Sequence, residues 1–295
     1  MNNFIRRICL LGFGEVGQTL AEDLPSYHLT AWDILFADPA SKPSRALTRY
    51  GVTAGKSAEA AVAEADLVVS AVTAAQDVGA AKAVAGGLRR GAYFLDFNSA
   101  SPEAKKHSAE IINGAGGRYV EAAVMAPIGP KRIATPMLLG GPHAEAFLPL
   151  GQEVGFAGLS FFSFDYGKAS AAKMCRSVMV KGIEALLTES LISARHYGVE
   201  QTVLDSLSDL FPVGDWPKLA RYMISRALEH GTRRAEEMRE VAQTVSDAGL
   251  TPLLSSATAE RQDWAAARKS ALEAEADTDS LADLLDRLLA MRNDQ

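Results

Sequence analysis

The chain contains only two cysteines, Cys9 and Cys175, each inside an apolar run. Two thiols are too few for a disulfide framework or a cysteine-built zinc cluster, and they suit a reducing compartment. The few histidines show no H-x-x-H or H-E-x-x-H spacing, and neither C-x-x-C nor G-x-S-x-G occurs. Metal catalysis and covalent nucleophilic catalysis therefore find no support, and no metal ligand is assigned. An excess of positive charge is also missing. A net charge of −6 gives no electrostatic reason to expect nucleic acid or an anionic membrane as a partner. No stretch approaches the roughly 20 uncharged apolar residues that span a bilayer. The apolar run near the N-terminus is too short for a signal segment, and glycines interrupt it. A cytoplasmic protein is expected, with a length of 295 residues that allows one to two domains and a sizeable core.

What the sequence does contain is alternation. β-rich runs recur at Ile5–Leu11, Leu29–Ile34, Asp66–Val72, Tyr93–Phe97, Tyr119–Met125, Met137–Leu139 and Leu159–Phe164, with Ala-rich, helix-compatible segments between most of them. Apolar strands that do not alternate in polarity read as a mostly parallel, doubly wound sheet. After about Asp165 the β-runs stop, and helical composition continues from Gly167 to Tyr197. Further helices are expected from Val199, over Trp216–Asp247, near Ala257–Glu275 and over Asp279–Met291. Pro212, Pro217, the Gly249–Pro252 turn and the acidic Glu273–Asp279 stretch separate them. The expected plan is an α/β Rossmann-type domain over residues 1–165 and an all-α domain over 166–295, joined by a long helix.

The stretch Gly12-Phe13-Gly14-Glu15-Val16-Gly17 follows an apolar strand and opens a helix with Val16, Leu20 and Leu24 at helical spacing. In that setting Gly12 permits a tight turn, Gly14 lets the backbone approach a pyrophosphate, and Gly17 lets helix and strand pack closely. The helix N-terminus adds amide donors and partial positive charge for phosphates. Asp33 ends the second strand-like run, 16 residues past Gly17. A carboxylate there accepts from ribose hydroxyls and repels a 2′-phosphate, which favours NAD over NADP. Against this, Lys42, Arg45 and Arg49 follow closely and could neutralise such a phosphate if Asp33 turned away. Val72, Thr73, Asn98 and Ser99, at the ends of two later strands, complete the candidate cofactor contacts.

Two further clusters lie on helices. Between Gly167 and Tyr197, Ser170, Lys173, Ser177, Lys181, Glu184 and Thr188 fall on one stripe at about 100° per residue. Most of the remaining circumference is apolar, so the stripe faces either a wet cleft or bulk solvent. Beyond it, His230, Arg233, Arg234 and Glu237 share one helix face. They read equally as a surface salt-bridge ladder or as an anion-binding cluster.

The blocks "LLGFGEVGQTLAEDL", "FLDFNSASP", "YVEAAVMAP" and "GKASAAKMCRS" resemble, in that order, the signature blocks of the β-hydroxyacid dehydrogenases. That family includes hydroxyisobutyrate, tartronate semialdehyde, threonate and phosphogluconate dehydrogenases. "EHGTRRAEEM" is similar to a block of a subgroup with its own C-terminal domain. The resemblance implies a loop beside the nicotinamide at Asp96, Ser99 and Pro102, and a catalytic lysine at Lys173. Ser177 stands where an asparagine is usual. In the substrate loop, Glu121-Ala122-Ala123-Val124-Met125-Ala126-Pro127 replaces D-A-P-V-S-G-G, so Val124, Met125 and Ala126 are substrate candidates without the usual serine hydroxyl and glycine amides. Ser99, Ser177, His230, Arg233 and Arg234 are the other substrate candidates. The implied function is a nicotinamide-dependent oxidoreductase acting on a small hydroxy acid, with or without a phosphate, and with a lysine as general acid–base. The competing readings are an imine reductase on the same scaffold and a dinucleotide-binding sensor without turnover. Broad apolar stripes in the C-terminal helices lead to the expectation of a homodimer.

Overall fold

In the computed structural model, residues 4–211, 214–272 and 280–291 are described. Packing divides the chain into two compact units, 1–174 and 175–295.

The first unit is built on one sheet of eight strands: β1 (Arg7–Leu11), β2 (His28–Trp32), β3 (Thr53–Ala54), β4 (Leu67–Ser70), β5 (Tyr93–Asp96), β6 (Arg118–Val124), β7 (Met137–Gly140) and β8 (Leu159–Ser163). Their order is β3-β2-β1-β4-β5-β6-β7-β8. The strands from β3 to β6 pair in parallel, β7 runs antiparallel to β6, and β8 is parallel to β7. Between them lie α1 (Glu15–Asp23), α2 (Lys42–Tyr50), α3 (Ala58–Val62), α4 (Asp77–Ala85), α5 (Pro102–Gly114), α6 (Ile128–Lys131) and α7 (Ala144–Val154). The continuous apolar runs form strands buried on both faces. Ile8 and Leu10 of β1 pack into a core with Leu20 of α1 and Leu24 just after it, whereas Cys9 and Leu11 point to an opposite core with Val62, Val84 and Ile112. This is the doubly wound Rossmann-type arrangement that the alternation implies. Burial also pushes the Cys9 thiol up to about 12, so it stays protonated at neutral pH.

The sequence did not indicate β3. Its two residues are exposed and pair only with Thr30 and Ala31, so no apolar run marks them. Asp66 lies just outside β4, where its carboxylate accepts the amide hydrogens of Arg6 and Arg7 at 2.8 and 3.0 Å.

Helix α8 (Lys168–His196) crosses the division at residue 174, and among the described residues the further elements of the second unit are helices: α9 (Glu200–Leu210), α10 (Trp216–Asp247), α11 (Leu253–Ala266) and α12 (Leu281–Ala290). Its core gathers Leu187, Leu191, Leu204, Trp216, Ile224, Leu228, Leu284 and Leu288. Helices α10 and α11 approach closely at Gly231, where a Cβ would lie 2.4 Å from the Gln262 carbonyl oxygen. Asp215 caps α10 by accepting the Lys218 amide hydrogen at 2.9 Å. The helix expected over Ala257–Glu275 instead starts at Leu253 and ends at Ala266, before a 3₁₀ turn at Lys269–Leu272. Leu253 and Leu254, in its first turn, are exposed, and the first buried residue of the helix is Ser255. Pro212 and the Glu273–Asp279 separator lie outside the described residues. Among the described residues, no helix is long and apolar enough to cross a membrane.

Candidate active site

The glycine turn sits at the C-terminal end of β1, beside β4, where the strand order reverses direction. Ligands of open α/β sheets bind at that switch point. Gly12 has φ +91°, a left-handed conformation, and a Cβ there would lie 2.5 Å from the Ala71 carbonyl oxygen. A Cβ on Gly17 would lie 2.3 Å from the Gly12 carbonyl oxygen. Gly14 differs from both, because nothing in the protein lies within 4 Å of the place its Cβ would take. It is also the N-cap of α1 and no side chain bonds the cap. Open space in front of a helix N-terminus, at the glycine where a pyrophosphate would approach, fits a dinucleotide. Phe13 between these glycines is fully buried and meets Phe36 and Tyr50 edge-on. Glu15 and Val16 open α1 itself.

Asp33 immediately follows β2 and latches the turn. Its Oδ2 accepts the Phe13 amide hydrogen at 2.7 Å and its Oδ1 accepts that of Leu35 at 2.9 Å. Each carboxylate oxygen retains lone-pair capacity for a ribose hydroxyl. Asp33→Ala is therefore expected to weaken NAD binding by roughly 10-fold or more, the size of a lost charge-assisted hydrogen bond, and NADP binding less. Calorimetric titration with both nucleotides checks this; a wild-type protein that prefers NADP would remove the assignment.

Asn98 is 4% exposed, and its side chain is engaged within the protein. Its Nδ2 donates to Ser70 Oγ at 3.0 Å and Asp77 Oδ1 at 2.8 Å, while its Oδ1 accepts the Val72 amide hydrogen at 2.7 Å. It thus ties the Val72–Thr73 loop to the loop after β5, and any contact with a cofactor there would go through that backbone. Ser99, the next residue, meets Lys173: the Lys173 Nζ donates to Ser99 Oγ at 2.6 Å. Both side chains are partly buried.

The start of α8 places Lys173. Glu121, fully buried on β6, accepts the Gly167 amide hydrogen at 2.7 Å through Oε2 and that of Ser170 through Oε1. A carboxylate on first-turn amides satisfies donors that a helix leaves open and complements its dipole. Tyr166 packs edge-on to Tyr119 and accepts a hydrogen bond from Asn113 Nδ2, fixing the approach to that turn. In the sequence, Glu121 stands out only as a glutamate where the family has an aspartate. In the segment expected to meet a substrate, Val124 ends β6 and Ala126 is partly buried. The Met125 amide donates to the Pro136 carbonyl at 2.9 Å, which serves the β6–β7 pairing.

In the second unit the α8 stripe corrects the expectation that it faces a cleft or bulk solvent. Ser177, Lys181, Glu184 and Thr188 are buried, whereas Met179 and Leu186 are 64% and 68% exposed. The polar groups can be buried because each finds a partner. Lys181 pairs with Glu237 at 2.7 Å and donates to Ser177 at 3.2 Å, Glu184 pairs with Arg234 and Gln262, and Thr188 donates to the Glu184 carbonyl. Arg234, a substrate candidate, is thus buried in an internal ion pair. Arg233 is more exposed and pairs with Glu237. His230 lies 2.9 Å from Arg226, and its pKa is lowered by burial and then by the neighbouring arginines. His230, Thr232, Arg233 and Lys269 line a cavity of about 250 Å³.

Residues 7–147 match the NAD binding domain of 6-phosphogluconate dehydrogenase, and residues 194–265 match a domain of unknown function, DUF1932. A conserved hypothetical protein from Sinorhizobium meliloti 1021 is 35% identical with a TM-score of 0.73, over 96% of this chain and 97% of that one. A second solved protein of unknown function, itself reported as structurally similar to 3-hydroxyacid dehydrogenases, is 28% identical with a TM-score of 0.67, over 89% of this chain and 99% of that one. The mitochondrial 3-hydroxyisobutyrate dehydrogenase of Drosophila melanogaster is 24% identical over 67% of this chain and 61% of that protein. The NAD-binding module on a Rossmann-type sheet, followed by the DUF1932 helices, shows that the chain belongs to the β-hydroxyacid dehydrogenase family, in a branch with a distinct C-terminal domain and NAD(P) as cofactor.

Proposed function

We propose that the protein is an NAD(P)-dependent dehydrogenase, or a reductase in the reverse direction, of a small hydroxy acid, with Lys173 as the general acid–base. The observation that carries this reading is the Lys173–Ser99 hydrogen bond beside the loops that follow β4 and β5. When bound, the nicotinamide supplies the hydride acceptor. The chain's own part is to move a proton: in oxidation the Lys173 amine takes it from the substrate hydroxyl, and in reduction it returns it. Ser99 Oγ accepts from Nζ, which aims the amine and leaves the Ser99 hydroxyl hydrogen to orient the substrate. Glu121 fixes the turn of α8 from which Lys173 projects. Gly12, Gly14, Gly17 and Asp33 would hold the dinucleotide. In the second unit, Arg233 and Lys269 supply the positive charge of a cavity of about 250 Å³ that Glu229 also lines, a candidate seat for a carboxylate or phosphate group. Lys173 argues against the imine-reductase reading, because such relatives usually replace the lysine.

The test is an absorbance screen at 340 nm with a panel of hydroxy acids, run with NAD and with NADP, with sedimentation of the same sample for assembly. Turnover with at least one hydroxy acid, by a dimer that prefers NAD, is expected. Tight NAD(H) binding with no absorbance change across the panel would replace the enzyme by a sensor.

A further inference from the structure

Four titratable side chains that the reaction does not use are enclosed beneath the Asn98–Ser99 loop. Asp96 ends β5, Asp77 opens α4, Lys105 lies on α5 and Tyr119 on β6, and none is more than 2% exposed. Lys105 Nζ stands 2.7 Å from Asp96 Oδ1 and 3.5 Å from Asp77 Oδ1. Tyr119 donates its hydroxyl hydrogen to Asp96 Oδ2 at 2.6 Å, and Ser108 donates to Asp77 Oδ2 at 2.9 Å. Both carboxylates then reach the loop through one residue. Asp96 Oδ1 accepts the Asn98 amide hydrogen at 2.9 Å, and Asp77 Oδ1 accepts from the Asn98 side chain at 2.8 Å.

A buried ion cluster of this kind is a poor route to stability, since desolvating the charges offsets most of their attraction and an apolar replacement often does as well. The hydrogen bonds that its two carboxylates accept are, however, short and directional, and two of them come from Asn98, the residue preceding Ser99. We propose that Lys105, through the two carboxylates it joins, is a positioning residue that holds the Asn98–Ser99 loop so that Ser99 Oγ meets Lys173 Nζ. The electrostatics agree with that geometry. Asp77 (α4), Lys105 (α5) and Tyr119 and Glu121 (β6) are the charged or titratable groups acting on Asp96 or its partners. Burial and then Asp77 push Asp96 up to about 7. Lys105 remains a cation despite its burial because Asp77 and Asp96 hold its proton.

The inference rests on the proposed role of Lys173, so its test includes a readout that needs no substrate. Two variants are compared with wild type: Lys105→Met, and Lys105→Met combined with Asp96→Asn, which leaves no unpaired charge at position 96. Lysines are methylated with a ¹³C label, and the Lys173 signal is identified by its loss in Lys173→Met. A positioning role predicts that the double variant recovers the melting temperature lost in the single one, while its Lys173 signal titrates differently from wild type. It also predicts that kcat stays about 100-fold down, the scale of an ångström-sized misplacement, with KM nearly unchanged. The double variant carries the test if the single one does not fold. A Lys173 titration identical to wild type in the folded variants, or kcat recovering together with the melting temperature, overturns the proposal. An absence of turnover in the wild-type protein would instead remove the enzymatic reading and leave the Lys173 signal to decide this one.

Discussion

Lys173→Ala is expected to lower kcat by about 10² to 10⁴-fold, the usual range for a general acid–base group, and to leave NAD(H) affinity nearly unchanged. The direction follows from the geometry. The Lys173 amine donates to Ser99, in the loop after β5, whereas the pyrophosphate would be held by the backbone of the turn after β1. Steady-state kinetics on the substrate found in the hydroxy-acid panel, paired with fluorescence titration of NADH, separates the two quantities. Retention of more than about a third of kcat would exclude Lys173 as the proton-transfer group, and an equal loss of nucleotide affinity would assign it to binding instead.

The second large effect is a contrast between two glycines three positions apart. In Gly17→Ala the new methyl group would lie 2.3 Å from the Gly12 carbonyl oxygen. Backbone cannot move aside cheaply, so a stability loss of about 1 to 3 kcal/mol is expected together with loss of nucleotide binding. Gly14→Ala should behave differently. Gly14 has φ −77°, and its Cβ would meet no protein atom within 4 Å, so the melting temperature should hold. The methyl group would nevertheless occupy the space that a pyrophosphate needs, and affinity for NADH is expected to fall about 100-fold. Thermal melts alongside fluorescence titrations test both variants. Unchanged NADH affinity in a folded Gly14→Ala protein would show that the dinucleotide does not lie where the turn suggests.

Legibility in the sequence depended on how far apart the interacting residues stand. The strand, turn and helix around Gly12–Gly17 are contiguous, and backbone constraint alone dictates their residue types. The family resemblance is what singles out Lys173, and a 3.6-residue period gathers it with the other polar positions of α8. That same reading misjudged the stripe beyond residue 174, because the partners Arg234, Glu237 and Gln262 come from other helices. Glu121 and its two recipient amides are also far apart in sequence, so no local pattern records the anchor. Lys105 left one trace. It shares the buried face of α5 with Ser108, Ala109 and Ile112, and a lysine at that position of an amphipathic helix announces a buried partner.

Glu121 faces Gly140 across the antiparallel β6–β7 pairing, where a Cβ at position 140 would lie 2.8 Å from Glu121 Oε2. The two positions are therefore tied in evolutionary time. Alanine at 140 asks the Glu121 carboxylate to give way, and a displaced carboxylate, like a shorter side chain at 121, loosens its hold on the amides of Gly167 and Ser170. Substitution in this part of the molecule is therefore expected as a correlated set, with the residue at 140 following the length of the acid at 121 among homologues.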